Sequence, residues 1–284
     1  MRAYVPEYDL AAPSSLSEAL DLIADQARPI AGGTDLMVLF EAGKLPYRRL
    51  VSLSRLAELR GIDVSETHVT LGALTTYTQI QQHETMRCEF PLLARAASWT
   101  GAVATQNRGT LAGNIANASP AADSPPALLV YDAQLVLISS RGSRLVPYAG
   151  FHTGYKTSVM APDEIIAQIR LPRTTAGCAQ YLRKVGTRRA QAIAKVALAG
   201  LAKMSGARVA RLRIALASVA PVPLRCANTE RMLVGRHLDR DLIDQGKVLI
   251  AVEIAPITDI RSTDRYRRLV AVNLLEEFLE GLLP

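Results

Sequence analysis

Two short stretches of the sequence combine small, hydroxyl and amide residues in a way that suits an anion. The first, PIAGGTDLMV at residues 29–38, places Gly32 and Gly33 between an apolar run and a second apolar run with helical spacing. Paired glycines allow positive φ and leave no Cβ in a ligand's way, and successive backbone N–H groups in such a turn can surround an anion. The stretch therefore predicts an anion-binding turn, with a strand-to-helix turn that binds nothing as the alternative. Thr34 adds a hydroxyl donor, and we expect Asp35 to cap the following helix, turned away from the anion.

The second stretch is GTLAGNIANASPAADSPPALL, residues 109–129. It offers hydroxyl, amide and backbone donors, and Asp123 is its only charged residue. A lone carboxylate among small and apolar residues needs a donor, and ribose or ribitol hydroxyls would serve. The alternative is an Asx turn before Pro125 and Pro126. Neither stretch has the Walker pattern or GxGxxG, which argues against a P-loop or a Rossmann dinucleotide site.

The first part of the chain, residues 1 to about 57, predicts an alternation of strand, helix, strand, helix, strand. Ser15 and Glu18 have capping-box spacing ahead of a helical run. RPIA predicts a short buried strand, DLMVLFEAG a helix ended by Gly43, and RRLVSL a further strand. The pattern is that of a small α/β unit.

The remaining sequence predicts two further mixed sections with joints near residues 57 and 173. In the second section, HVTLGALTTY and DEIIAQIRLP predict strands, AQLVLISSRGSRLVPY a hairpin, and TYTQIQQHE and FPLLARAASWT helices. In the third, CAQYLRKV and VARLRIALASVA predict strands, and the runs DLIDQGKVLIAVEI and RYRRLVAVNLLEEFLEGLL predict amphipathic helices. Periodicity alone leaves AIAKVALAGLAKM open between strand and helix. The fold class is therefore α+β.

Composition indicates an ordinary globular enzyme that favours anionic partners. The 284 residues are 49% hydrophobic and 21% charged, with a net charge of +7. Aromatic residues are only 5% and form no stripe with basic residues, so base stacking on nucleic acid is poorly supported. The three cysteines are far apart, the four histidines lack ligand spacing, and no secretory or membrane-spanning segment is visible. We expect a cytoplasmic protein without a metal site of its own.

Five motifs, in order, carry a resemblance to a known family: AGGTDL, NRGTLAGNIANASPAADSPPALL, GYKTSVMAPDEIIAQIRLP, KVGTRRAQAIAKV and DIRSTDRYRR. Over essentially its whole length the chain resembles the FAD-binding medium subunit of molybdenum hydroxylases, the family of xanthine dehydrogenase and carbon monoxide dehydrogenase. The resemblance implies a two-part FAD-binding domain of the vanillyl-alcohol-oxidase type, here residues 1–57 and 58–172. A smaller α+β C-terminal domain, residues 173–284, would follow.

The resemblance implies that the two stretches hold the FAD pyrophosphate between them. It also places an apolar residue near the flavin and a lysine near the isoalloxazine, whose cation would stabilise the anionic reduced form. An exposed lysine on a strand is the alternative for the latter position. The implied cofactor-binding residues are Ala31, Gly32, Gly33, Thr34, Asp35, Leu36, Thr110, Gly113, Asn114, Asn117, Asp123, Met160 and Lys184. No residue of the chain is expected to be catalytic.

Three departures from the family pattern stand out. Ala112 precedes Gly113 where the family usually has two glycines, and its methyl group is expected to tighten the loop or to shift one N–H away from phosphate. Gln106 stands where an arginine is common. One subfamily holds a 4Fe–4S cluster in this subunit, but three scattered cysteines cannot supply four thiolates. FAD is therefore the only prosthetic group expected in this chain.

The functional interpretation is an electron-transfer flavoprotein subunit. A large molybdenum subunit with molybdopterin would hydroxylate the substrate, a small 2Fe–2S subunit would pass electrons to FAD, and NAD, oxygen or a quinone would accept them. The resemblance suggests a dimer of such heterotrimers. One alternative is a stand-alone FAD-dependent oxidase or reductase, and a second is a basic nucleotide- or nucleic-acid-binding module. The arginine pairs 188–189 and 267–268 would contact a partner or NAD phosphates, or form a solvated face.

Overall fold

The N-terminal part of the chain folds around a small parallel sheet. The computed structural model describes residues 7–188 and 191–283. Its first elements are β1 (Asp9–Ala11), α1 (Leu16–Ala24), β2 (Arg28–Ile30), α2 (Leu36–Glu41) and β3 (Arg49–Ser52). The strand order is β1-β3-β2. The predicted alternation is confirmed, and the Ser15 hydroxyl accepts a hydrogen bond from the Glu18 N–H at the start of α1. The expectation that RPIA is buried is wrong, because Arg28 is exposed, the rest of β2 is only half-buried, and α2 buries no side chain.

A five-stranded antiparallel sheet forms the second layer, with β10 at its centre. Its strand order is β4-β5-β10-β6-β7. The predicted hairpin and both predicted strands are confirmed, with Ile169 of β10 aligned with Leu71 of β5 and with Leu135 of β6. The elements of this section are β4 (Ile62–Val64), β5 (His68–Gly72), α3 (Tyr77–Gln82), α4 (Glu84–Glu89), α5 (Pro91–Trp99), α6 (Val103–Gln106), α7 (Leu111–Asn117), α8 (Pro125–Val130), β6 (Gln134–Ser139), β7 (Gly142–Pro147), β8 (His152–Gly154), β9 (Thr157–Ser158) and β10 (Ile165–Pro172).

A four-stranded antiparallel sheet and three helices complete the fold. The sheet has the order β11-β12-β13-β14. These elements are β11 (Ala179–Val185), β12 (Val196–Ser205), β13 (Arg208–Ala217), β14 (Leu224–Arg225), α9 (Ala227–Leu233), α10 (Arg240–Glu253) and α11 (Asp264–Glu280). The two predicted amphipathic helices are α10 and α11.

The ambiguous run AIAKVALAGLAKM forms strand β12. Every side chain from Val196 to Ala202 is buried. The reason is that helices cover the strand on two sides, since α11 and α8 both pack against it. A strand covered on both faces is apolar throughout and lacks the alternation that would distinguish it from a helix.

Polar contacts fasten the four-stranded sheet to the rest of the chain. Asp132, which follows α8 with a φ of 52°, accepts hydrogen bonds from Arg211, Arg213 and Arg225 on β13 and β14. The Tyr131 hydroxyl donates to Gln180 on β11 at 2.6 Å. The sheets therefore share an interface, while the division at residues 57 and 172 stays a prediction.

The arginine pair 267–268 serves the fold, contrary to the expectation of a partner contact or a solvated face. Arg267 is only 2% exposed and donates to the Ser218 carbonyl at 2.9 Å and to Asp259 at 2.6 Å. Arg268 donates to the Ile254 carbonyl. These bonds tie the start of α11 to the end of β13, to Asp259 and to the end of α10. Of the other pair, Arg189 lies outside the described residues.

Gly200→Ala should destabilise the protein, because a Cβ at residue 200 would lie 2.4 Å from the Phe278 ring of α11. Overpacking of this kind costs about 1 to 3 kcal/mol. Gly281→Ala is the matched control, since Gly281 has a φ of −65° and a Cβ there would meet nothing closer than 3.5 Å. Urea unfolding measures both variants, and equal free energies of unfolding for the two would contradict the packing described here.

Candidate functional site

The two glycine-containing stretches lie directly against each other, backbone to backbone. A Cβ on Gly32 would lie 1.9 Å from the Arg108 carbonyl oxygen and 3.1 Å from the Gly109 Cα. A Cβ on Gly109 would in turn lie 3.3 Å from the Thr34 hydroxyl oxygen. Real Cβ atoms do not approach backbone this closely, so only glycine fits at position 32. The structure thus brings together the segments that the sequence analysis paired.

The first stretch has the turn geometry that its glycines predict. Gly33 has a φ of +72°, and its carbonyl accepts a hydrogen bond from the Met37 N–H at 2.8 Å. Ala31 and Leu36 are half-buried on either side, and Thr34 is exposed. The backbone therefore turns sharply from β2 into α2, with Gly32 and Thr34 against the second stretch.

The expected helix cap at Asp35 is wrong. Asp35 occupies the position before α2, but its side chain makes no capping bond. Its φ of −99° and ψ of −47° are helical rather than extended, so the carboxylate does not turn back over the first helical N–H groups. Instead, the Asp35 Oδ1 accepts from the Asn117 Nδ2 at 3.1 Å. Asp35 therefore joins the first stretch to the second.

The second stretch begins a short helix and is not an open loop. Thr110 caps α7, and its hydroxyl oxygen accepts from the Gly113 N–H at 3.1 Å. Ala112 is buried, with its side chain in the main core beside Leu111 and Ile115. The expectation that its methyl group tightens the loop or shifts one N–H away from phosphate stays a prediction.

Gln106 has a local structural role. Its side-chain amide donates to the Ser98 carbonyl at 3.0 Å, and its amide oxygen accepts from Gln81 at 3.1 Å. The uncharged Gln106 side chain thus joins α6 to the ends of α3 and α5, three residues before Gly109.

Lys156 completes a hydrogen-bonded chain at the edge of the site. Its ammonium donates to the Asn117 Oδ1 at 2.6 Å, while the Asn117 amide group donates to Asp35. Lys156 lies in the tight turn between β8 and β9, with a φ of 58°. Sequence reasoning missed it, although it stands within the quoted motif GYKTSVMAPD. Met160, four residues later, is half-buried and packs against the main core.

Asp123 pairs with Lys184, and both side chains are largely buried. The Lys184 Nζ lies 2.7 Å from the Asp123 Oδ2, with side chains 9% and 11% exposed. Lys184 is therefore not an exposed surface lysine, and it is the donor that the lone carboxylate requires. Burial raises the pKa of Asp123 to about 6, although the neighbouring Lys184 cation favours the ionised form.

Buried acceptors without a partner lie in the second stretch. The Asp123 Oδ1 and the Asn114 Oδ1 are both buried and accept no hydrogen bond from the described residues. The Tyr77 ring connects this region to the glycines, since it lies 3.2 Å from the Cβ position of Gly109 and its phenol lies near Asp123. A buried acceptor left unpaired costs free energy, so these atoms fit a ligand that brings hydroxyl or amide donors.

The described residues hold no group of three or more histidine, cysteine or acidic side chains that could bind a metal ion. Within the same residues, no helix combines the length and the apolar character needed to cross a bilayer. A cavity of about 700 Å³ lies elsewhere, bordered by Glu89, Arg173 and Thr175, and none of the predicted site residues lines it.

Comparison with known families now identifies the class of protein. The family described as "FAD binding domain in molybdopterin dehydrogenase" matches residues 6–174, and "CO dehydrogenase flavoprotein C-terminal domain" matches residues 181–282. The chain belongs to the family of FAD-binding medium subunits of molybdopterin dehydrogenases. It is a flavoprotein subunit of the xanthine dehydrogenase and carbon monoxide dehydrogenase type, and the α+β class with an FAD-binding domain ahead of a C-terminal domain is confirmed.

Individual relatives are similar along nearly their whole lengths. The putative xanthine dehydrogenase FAD-binding subunit of Escherichia coli is 32% identical over 260 residues, which cover 89% of this chain and 88% of that protein. The glyceraldehyde dehydrogenase medium chain of Sulfolobus acidocaldarius is 31% identical and covers 98% of this chain and 99% of its own length. A solved carbon monoxide dehydrogenase structure from Hydrogenophaga pseudoflava superposes with a TM-score of 0.93 at 27% identity, covering 99% of this chain and 100% of that one.

The buried Asp123 carboxyl should leave a signature in the pH dependence of stability. Its pKa in the folded protein, about 6, lies above its ordinary value of 3.8, so its contribution to stability is present at low pH and is lost as pH rises through 6. Between about pH 8 and pH 5, this group alone should add about 1 kcal/mol to the free energy of unfolding.

The flavin-free wild type and Asp123→Asn should be compared by urea unfolding at both pH values. The comparison is needed because burial lowers the pKa of His152 to about 4, which makes stability fall with acid over the same range in both proteins. As pH falls from about 8 to about 5, the free energy of unfolding of the wild type should rise relative to that of Asp123→Asn. A constant difference between them would show that Asp123 does not titrate in this range.

Proposed function

We propose that this chain is the FAD-carrying electron-transfer subunit of a molybdenum-containing hydroxylase or dehydrogenase. The observation that carries the proposal is the direct backbone contact between Gly32 and Arg108–Gly109, beside buried acceptors that no group among the described residues satisfies. A flavin nucleotide needs both features, because its phosphates require close backbone N–H groups and its sugar chain supplies hydroxyl donors. Family membership supports the same assignment.

The proposed site assigns different residues to the pyrophosphate, the sugar chain and the flavin ring of FAD. Residues 31–36 and the start of α7 at Thr110 and Gly113 would hold the pyrophosphate. Asn114, Asn117 and the free oxygen of Asp123 would accept hydrogen bonds from the sugar hydroxyls. Met160 would supply an apolar contact to the flavin.

Bound FAD would supply the redox chemistry, accepting electrons from a 2Fe–2S partner and passing them to NAD, oxygen or a quinone. This chain's own residues would bind and orient the cofactor, and none would act as acid or base on the primary substrate. The partners would be a large molybdenum subunit with molybdopterin and a small 2Fe–2S subunit, in a cytoplasmic dimer of heterotrimers.

Exposed apolar side chains support a docked subunit over a free-standing oxidase or reductase. Val248 and Val252 on α10 are 70% and 74% exposed, and Ile257 and Ile260 beyond the helix are also exposed. Val248 and Val252 lie one turn apart on the same helix face, and adjoining exposed apolar side chains of this kind are typical of surfaces that partners cover. Purification of the native assembly with molybdenum and iron analysis separates the two alternatives, since a free-standing flavoprotein would run as a single chain without either metal.

The purified protein should release FAD rather than FMN. Two adjoining segments that each offer phosphate-binding donors suit the two phosphates of a pyrophosphate, whereas FMN has a single phosphate. Acid release followed by chromatography identifies the nucleotide. Recovery of FMN alone would contradict the proposed site.

Gly33→Val should abolish flavin retention. Valine disfavours positive φ, and its Cβ would press on the Ile30 and Met37 side chains at 3.4 Å, so the turn would have to shift. Loss of one to three hydrogen bonds to an anion should cost several kcal/mol of binding, on the order of 2 to 6. The readout is the flavin absorbance per protein after gel filtration.

Gly43→Val is the matched control for this experiment. Gly43 has a nearly identical φ of +66°, ends the turn after α2, and has no atom within 4 Å of its Cβ position. It should therefore lose stability through backbone strain but keep its flavin. Equal flavin content in both variants would show that residues 31–36 do not hold the cofactor.

A further inference from the structure

Two of the three cysteines border the same cavity, although they are far apart in the sequence. Cys88 lies on α4 and is exposed, whereas Cys178 lies just before β11 and is half-buried. Both line the cavity of about 700 Å³ beside Glu89 and Arg173. Neither thiol belongs to the proposed flavin site, so the proposed function leaves this pair without a role.

Hydrogen bonds from the residues around Cys178 converge on Glu89, the residue that follows Cys88. The Thr175 hydroxyl donates to the Glu89 carbonyl oxygen at 3.0 Å, and the Gln180 amide donates to the same oxygen at 3.5 Å. The chain on either side of Cys178 is therefore bound to the immediate neighbour of Cys88. This arrangement explains why two thiols from distant parts of the sequence share one cavity.

The other groups at this cavity favour neither an anion nor a metal ion as the ligand. The Arg173 guanidinium donates to the two Glu89 carboxylate oxygens at 2.7 and 2.9 Å and to the Ser65 carbonyl oxygen at 2.6 Å. Its charge is therefore already balanced by a carboxylate. No group of three or more metal-binding side chains lies here among the described residues. The reactive groups that the cavity offers are the two thiols.

The cavity gives small reagents access to the thiols, and the chain before Cys178 has free space around it. Gly177 has a φ of +70° and no atom within 4 Å of its Cβ position. Cys88 is exposed, so it is the thiol that a dissolved reagent reaches first. Cys226 differs from both, because it is fully buried at the start of α9 and burial raises the pKa of its thiol. Cys226 should therefore be inert.

We propose that Cys88 and Cys178 form a reactive dithiol that closes reversibly to a disulfide by exchange with small disulfides of the glutathione type. The Cys88 thiolate attacks one sulfur of the small disulfide, which releases one small thiol and leaves a mixed disulfide on Cys88. The Cys178 thiolate then attacks the Cys88 sulfur and releases the second small thiol. The protein loses two protons and two electrons, and the small disulfide gains them.

The new bond would tie α4 to the segment that joins β10 to β11. That segment connects the five-stranded sheet with the four-stranded sheet, so oxidation would fasten the joint between them. A bond between residues far apart in the chain restricts the unfolded state and so favours the folded one. The resistance of the protein to unfolding would therefore depend on the thiol–disulfide balance around it, whether or not FAD is bound.

The test is peptide mapping of the full-length chain after incubation with oxidised glutathione and alkylation of the remaining thiols. Trypsin cleaves after arginine, so it releases Cys88 in the peptide CEFPLLAR and Cys178 in the peptide TTAGCAQYLR. We expect these two peptides joined by a disulfide, from chains that run as monomers on a non-reducing gel, and separated again by dithiothreitol. Glutathione retained on Cys88, a bond between two chains, or two thiols left unmodified would each overturn the proposal.

Cys88→Ser and the matched control Cys226→Ala test the effect of the bond on stability. Oxidised glutathione should raise the urea midpoint of the wild type and of Cys226→Ala, and should leave that of Cys88→Ser unchanged. An unchanged midpoint in the oxidised wild type, or the same rise in Cys88→Ser, would overturn the proposal. Because the linked peptides are measured in the wild type, the mapping decides the matter even where a variant does not fold.

Discussion

The contact between Gly32 and the Arg108 carbonyl is the constraint on which the candidate site depends. It leaves no space for a side chain, so it holds the turn after β2 at backbone distance from the start of α7. That spacing brings Asp35 within reach of Asn117 and sets Gly109 against the Tyr77 ring. The polar groups farther along, at Asn114 and Asp123, follow from the same placement of α7. Glycine at position 32 is therefore what allows the two backbones to meet.

Secondary structure could be predicted where burial is one-sided. The helices α1, α10 and α11 and the strands β5, β6 and β10 carry periodic apolar patterns because one face meets a core. The pattern failed for β12, which is covered by helices on both faces, and for α6 to α8, whose small residues carry no periodic signal. The burial of β2 was overestimated because α2, the element that follows it, covers no core.

The sequence indicated which residues belong to the candidate site, but not which residues pair or form hydrogen bonds with one another. Adjacent glycines and a lone carboxylate can be recognised in the sequence, because only their immediate neighbours in the chain are needed to interpret them. The partner of Asp123 lies 61 residues away on another sheet, and Lys156 reaches Asn117 across 39 residues. Such contacts depend on how the sheets pack, which no local pattern encodes. The Asp35 cap failed for the same reason, because a distant amide competes with the local N–H groups.

Because Lys184 lies on β11, the part of the chain before β11 depends on the four-stranded sheet that follows it. A fragment that ended before β11 would leave Asp123 buried without its cation and strip α8 of the sheet that covers it. The cofactor-binding half is therefore not a self-sufficient module. Recombination between relatives, or fusion of the flavin-binding half to another protein, would have to carry the four-stranded sheet along to keep these contacts.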